Sequence, residues 1–265
     1  MLTFILGACV GLVLGLTGAG GGILAIPALT LGLGWSITQA TPIALLAVGS
    51  AALIGAMQGL RQGLVRYKAA ATMAAAGWVV APVGIYVAAR VPGTALMAVF
   101  AVVMLIVACR MYLQARRDDE ARGALQRNCM LDPATGRLDW NARCLATLAS
   151  IGATSGFLTG LLGVGGGFFI VPAFRTFSDV RMHGVVATSL MVVALVSLGT
   201  LGHLFSQGMK FSSAGAVFTV SALVGMIGGR LVAPTLPARL LQQMFSVLCV
   251  CVSLLMLGKI FFRIG

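Results

Sequence analysis

Apolar residues run through the chain in long blocks separated by short polar stretches. Four blocks cover roughly 2–33, 40–60, 69–90 and 93–113, and four more cover roughly 144–178, 184–207, 212–233 and 238–262. About 20 consecutive apolar residues form a helix long enough to span a bilayer. Six of the eight blocks, the second to fourth of each set, fit one span. The first block of each set is too long for one straight pass. The pattern predicts an all-α, polytopic transmembrane bundle of about eight hydrophobic segments, the first and fifth of them broken.

The break is a glycine-rich motif that occurs twice, 145 positions apart: Gly15-Leu-Thr-Gly-Ala-Gly-Gly-Gly-Ile-Leu-Ala-Ile-Pro27 and Gly160-Leu-Leu-Gly-Val-Gly-Gly-Gly-Phe-Phe-Ile-Val-Pro172. Glycine frees the backbone, and proline removes a hydrogen-bond donor. At the same offset Gly11 meets Gly156, Leu45 meets Leu190, Gln62 meets Gln207, Gly84 meets Gly229, Pro92 meets Pro237 and Phe100 meets Phe245. Such agreement reads as an internal duplication. It divides the chain into a first repeat (1–113), a linker (114–142) and a second repeat (143–265).

The form of the broken segment sets the symmetry. If it crosses once, each half spans four times, the halves are parallel, and the 18 Lys and Arg split 13 to 5 between the two sides. If it turns back, the halves are inverted and the split is 14 to 4. Both splits obey the positive-inside rule. Inverted repeats are common in secondary transporters, so the inverted form is preferred. Either form places the 114–142 linker in the cytoplasm. Within the linker, Leu131-Asp-Pro-Ala-Thr-Gly-Arg-Leu138 reads as a turn, and a short β-hairpin is expected there.

Composition agrees with lipid as the solvent: 59% of residues are hydrophobic and 9% charged, with mean hydropathy +1.03, whereas soluble domains carry about 25% charged residues. The net charge of +12 does not indicate a nucleic-acid partner, because eleven of the 18 basic residues lie between Arg61 and Arg143, in short connections. The six cysteines show no C-x-x-C pair, so neither a metal site nor a disulfide framework is expected. The apolar N-terminus lacks the basic region of a signal peptide and is expected to remain as the first transmembrane element.

All six acidic residues (Asp118, Asp119, Glu120, Asp132, Asp139 and Asp179) lie outside the spans. Without an intramembrane carboxylate, a cation pump or a carboxylate-based enzyme is disfavoured. Backbone amides, neutral polar groups and positive charge remain, an inventory that suits an anion. The triplets Gly20, Gly21, Gly22 and Gly165, Gly166, Gly167 are expected to precede helix N-termini, where bare amides and the helix dipole favour anions. Tight helix packing is the alternative role for the same glycines. A polar stripe of Ser189, Thr200, His203 and Gln207 is matched by Gly55, Gln58 and Gln62 on the second segment, with His203 aligned to Gln58. Interhelical hydrogen bonding near a membrane edge is the alternative for this stripe. Arg230 ends the seventh segment and is expected to reach the headgroups, with attraction of anions as the alternative. His183, beside Arg181, is expected to be solvated.

At these residues the chain resembles the sulfite exporter TauE/SafE family. The resemblance rests on the doubled glycine motif, Asp132-Pro-Ala-Thr-Gly-Arg137, Gly156-Phe-Leu-Thr-Gly160 continuing to Gly167 with Pro172, and Ala187-Thr-Ser-Leu190, and it covers essentially the whole chain. It implies an inner-membrane transporter of organosulfur or sulfur-oxyanion compounds such as sulfite, sulfonates or sulfoacetate. The first half departs from the second, with Thr41-Pro-Ile-Ala44 near the place of Ala187-Thr-Ser189. The expectation is therefore a secondary transporter of a small anionic substrate. Gly20 to Gly22, Gly165 to Gly167, Thr188 and Ser189 would bind the anion, with His203, Gln58, Gln62 and Gln207 as further candidates. An anion channel using the same amides is the alternative, and a non-transport scaffold a weaker one. No enzyme activity and no cofactor are expected, and a homodimer is left open.

Overall fold

A computed structural model describes residues 1–116, 129–130, 140–180, 182–206, 213–232 and 238–264. Among these residues there are ten helices: α1 (Leu2–Thr17), α2 (Ala25–Pro27), α3 (Ile37–Arg61), α4 (Tyr67–Arg90), α5 (Gly93–Arg116), α6 (Ala142–Leu162), α7 (Gly167–Phe177), α8 (Met182–Ser206), α9 (Ser213–Val232) and α10 (Ala238–Ile264). The single turn of α2 is flanked by a 3-10 stretch, Gly18–Leu24, and a π turn, Ala28–Gly32. A capping box starts α3: Ser36 Oγ accepts from the Gln39 N–H, and Gln39 answers on the Ser36 N–H.

Among the described residues, six helices (α3, α4, α5, α6, α8 and α9) are long and apolar enough to cross a bilayer. Their outward faces carry Val79, Val83, Ile106, Val224 and Leu231, all exposed. An apolar surface on this scale is a liability in water and a requirement in lipid. The chain is a multi-pass membrane protein with an all-helical transmembrane bundle.

Small residues set the helix pairing. Gly152, Gly156 and Gly160 of α6 press successively on Met73, Gly77 and Ala81 of α4, so these helices run in the same direction. Gly7, Gly11 and Gly15 of α1 meet Phe218, Ala222 and Met226 of α9 in the same order. Helices in lipid associate chiefly by van der Waals packing, and glycine lets their backbones approach. At the centre α3 opposes α8: Gly49 faces Ser197, Gly55 faces Leu190 and Gly59 faces Ala187, an antiparallel register. Outside them α5 and α10 are also antiparallel, joined by Ser246 Oγ donating to Ala108 O (2.7 Å) and Ser253 Oγ donating to Ala101 O (2.8 Å).

These registers determine how the broken segments run. The Arg66 N–H donates to Thr188 Oγ1 at 3.0 Å, and Trp78 Nε1 donates to Leu195 O at 2.8 Å, so α4 is parallel to α8. Since α6 is parallel to α4, α6 and α8 run the same way, and α7 between them turns back. Likewise Ile43 faces Gly215 and Gly55 faces Met226, so α3 is parallel to α9 and therefore to α1. The 18–32 stretch between α1 and α3 turns back as well. The chain ends of α3 and α7 and the starts of α4, α6 and α8 lie on one side, called here the linker side.

One expectation is overturned. Cys129 and Cys144, 15 positions apart in sequence, form a disulfide with their Cα atoms 4.9 Å apart. The cause is tertiary. The Cys129 N–H donates to Phe177 O (3.1 Å) and the Asp179 N–H donates to Cys129 O (3.2 Å), forming an isolated bridge that lays this part of the linker across the end of α7 beside the start of α6. No sequence spacing announces such a pairing. The hairpin expected at Leu131–Leu138 lies outside the described residues.

Candidate functional site

The second glycine motif builds a helix start inside the protein. Helix α6 ends in a left-handed Gly163, whose N–H donates to Thr159 O at 2.8 Å. Gly165 (φ 75°) and Gly166 (φ 64°) continue in the left-handed region, which side chains resist. Gly166 is the N-cap of α7. The Phe169 and Ile170 N–H groups both donate to Gly166 O, at 3.1 and 3.2 Å. The N–H groups of Gly167 and Phe168 therefore remain as the orphan donors of a helix start, at the positive end of its dipole. Residues 165–168 are all buried.

Two serine hydroxyls flank these donors. Ser197 of α8 is fully buried, its Oγ has no hydrogen-bond partner, and it stands 3.2 Å from where a Cβ on Gly165 would lie. Ser155 of α6 is fully buried too, its Oγ also has no partner, and it lies against Gly166. The neighbouring Thr159 hydroxyl is engaged with Ser155 O at 2.8 Å. Leaving a buried hydroxyl unpaired costs about 1–3 kcal/mol, so two at one helix start call for a ligand-based explanation. A site with two amides, two hydroxyls and no carboxylate can take an anion.

The site is central in depth. Its neighbours Val48 and Gly49 lie near the middle of α3, and Ser197, which faces Gly49, lies near the middle of α8. The first glycine motif reaches the same place. A Cβ on Gly22 would lie 2.8 Å from Val48 Cγ1 and 3.3 Å from Val164 O, while one on Gly165 would lie 3.4 Å from that same Val48 methyl.

The two motifs are nonetheless not equivalent. Gly20, Gly21 and Gly22 lie within the 3-10 stretch Gly18–Leu24, which opens on Gly18 at φ 75°. They do not form the bare helix start that Gly165 to Gly167 form. Thr188 is buried at the linker-side end of α8, where it accepts the Arg66 N–H. It is nine residues from Ser197, or about 13 Å along a helix. The hydroxyl of Ser189 donates to Val186 O (2.9 Å) and that of Thr200 to Val196 O (2.8 Å). Gln58, Gln62 and His203 are exposed, and Gln207 lies outside the described residues. The structure gathers Gly22, Gly165, Gly166 and Gly167 at one place, while Thr188 and the exposed Gln58, Gln62 and His203 lie away from it.

Sequence reasoning missed Ser155 and Ser197. The only sign of Ser197 is a single hydroxyl interrupting the apolar run Met191 to Leu198, and Ser155 merely precedes Gly156.

Comparison with known proteins agrees with this architecture. Two curated proteins from Xylella fastidiosa, strains 9a5c and Temecula1, each described as a probable membrane transporter protein, are 26% identical to this chain over 256 residues, covering 96% of it and 93% of their own length. No solved structure matches significantly. The family description sulfite exporter TauE/SafE matches residues 3–256, nearly the whole sequence. The chain therefore belongs to the sulfite exporter TauE/SafE family of membrane transporters.

Proposed function

We propose that the protein is a secondary transporter of small sulfur-containing anions, such as sulfite, sulfonates or sulfoacetate, which it binds at the start of α7. One observation carries this reading. The unpartnered Ser155 and Ser197 hydroxyls lie against Gly166 and Gly165, which lead into the free Gly167 and Phe168 amides at mid-span, in a bundle whose described helices contain no Asp or Glu. Positive dipole ends of broken helices aimed at anionic cargo are a recurrent device in transporters built from inverted halves. The two halves are read as an inverted duplication at offset 145. The exchange of partners supports this: α6 pairs with α4 as α1 pairs with α9, through glycines at matching positions. Rocking of one half against the other about the Gly22–Val48–Gly165 contact would open the site to each side in turn.

The linker side is assigned to the cytoplasm. Read as inverted halves, the sequence assigns 14 of the 18 basic residues to that side and four to the other. Disulfides persist mainly in oxidising compartments, so the Cys129–Cys144 bond points the other way. The many charges outweigh one bond, and in a reducing cytoplasm the two sulfurs would stand as neighbouring thiols.

The test is flux into liposomes carrying the purified protein, with sulfite, sulfate, thiosulfate, taurine and sulfoacetate offered in turn. A carrier gives saturable uptake and counterflow for at least one sulfur anion. Flux without saturation or counterflow makes the protein a channel, and no flux of any of them removes the sulfur-anion reading.

A further inference from the structure

We propose that Arg230 and Gly55 form a second oxyanion station, on the linker side of the α7 site; it rests on the reading that the cargo is an anion. The sequence places Arg230 at a membrane edge, where an arginine extends to the headgroups. The structure turns one end of the guanidinium inward instead. Its Nη1 is fully buried and has no hydrogen-bond partner. A Cβ on Gly55 of α3 would lie 2.9 Å from Nη1, with Leu190 Cδ1 of α8 at 2.8 Å and Met226 Cε of α9 at 2.9 Å. Three helices thus enclose a cationic nitrogen among apolar atoms, and none of the ten helices contains a carboxylate to pair with it. An unpaired ionisable group inside a membrane protein marks an ion path by default. Reaching for headgroups accounts for the stem of Arg230 but not for a nitrogen directed at Gly55.

Gly55 makes the room, since any side chain there would meet Nη1. It is six residues from Gly49, which faces Ser197, so the station lies about 9 Å from the α7 site along the axis, toward the linker. The arrangement is one-sided: at offset 145, Arg230 corresponds to Ile85 and Gly55 to Thr200. An anion on the linker side would meet the guanidinium first and the α7 amides next.

The test uses methylglyoxal, an arginine reagent little larger than sulfate. Modification of each arginine is followed by peptide mass spectrometry on the purified protein in phospholipid-free nonionic detergent, with and without sulfate. Sulfate should slow modification of Arg230 several-fold and leave Arg90, stacked on Tyr86 at the other face, unchanged. The protection should persist in Ser197→Ala and disappear in Gly55→Ala. Equal modification with and without sulfate overturns the proposal, as does no modification at all, because a station must be reachable. Protection by an anionic phospholipid but not by sulfate makes Arg230 a headgroup contact and overturns it as well. Protection lost in Ser197→Ala would mean that sulfate fills only the α7 site, again against the proposal. Protection that persists while the flux assay fails would leave the station standing and remove the transport reading alone.

Discussion

A Cβ placed on Gly22 would lie 3.3 Å from the carbonyl oxygen of Val164, so the first glycine motif packs directly against the second although 142 positions separate these residues. Val48 closes the contact at 2.8 Å. Gly22→Ala should therefore crowd Val48 and lower the melting temperature, and adding Val48→Ala should restore much of the loss. Contacting residues couple by about 0.5–3 kcal/mol in a double-mutant cycle. Thermal unfolding in detergent of the two single variants and the double variant measures this. Simple additivity would mean that Gly22 and Val48 do not touch.

Gly166→Val is expected to act through folding rather than through the anion. A Cβ there would run into the Ser155 hydroxyl and lie 2.7 Å from the Ser155 carbonyl oxygen, and the residue sits at φ 64°. Overpacking costs about 1–3 kcal/mol and a strained backbone about as much again. The variant should elute as aggregate or melt well below wild type in size-exclusion and thermal assays. A stable, monodisperse Gly166→Val protein would show that the loop around Gly166 is differently built.

The ladders Gly7, Gly11, Gly15 and Gly152, Gly156, Gly160 make a second stability prediction. Gly11→Leu and Gly156→Leu would each push a helix away from its partner backbone at Ala222 or Gly77. Both should abolish recovery of folded protein. Gly258→Leu, with nothing within 4 Å of the added Cβ, should be silent. Comparing the three by fluorescence-detected chromatography tests whether close approach, rather than glycine content, holds the bundle.

The membrane class, the helical fold and the broken segments were legible because hydropathy and the doubled glycine motif are properties of the chain itself. The return of each broken segment was not. A straight pass and a turn differ only in backbone angles at residues such as Gly163, Gly165 and Gly166, and hydropathy carries no record of direction. Ser155 and Ser197 were hidden for a different reason. Most helical hydroxyls bond to a carbonyl one turn back, as Thr200 does to Val196, and only atomic positions single out the ones that do not. The Cys129–Cys144 pair depends on where the linker lies against α7, which the spacing of the cysteines cannot tell.

The linker gives a test of sidedness. Met130 is 58% exposed beside the buried Cys129, so a Met130→Cys thiol should be reachable by an impermeant maleimide. Labelling is expected in inside-out vesicles and not in intact cells. The opposite pattern would place the linker outside the cell, in the compartment where the Cys129–Cys144 bond is ordinarily stable. Intact mass of protein purified without reductant should show that bond formed, and a disulfide closing a loop of this length contributes about 3 kcal/mol. Replacing both cysteines by serine should accordingly lower the melting temperature.

The central claim is that an anion is held by the α7 amides together with Ser155 and Ser197. Isothermal titration of sulfite into wild type and into the Ser155→Ala/Ser197→Ala variant tests it most directly, since neither substitution adds volume or changes the glycine backbone. A hydrogen bond to a charged group is worth about 1.5–3 kcal/mol, so affinity should fall by about tenfold or more while the melting temperature stays near that of wild type. Unchanged sulfite affinity in a well-folded double variant would contradict the account.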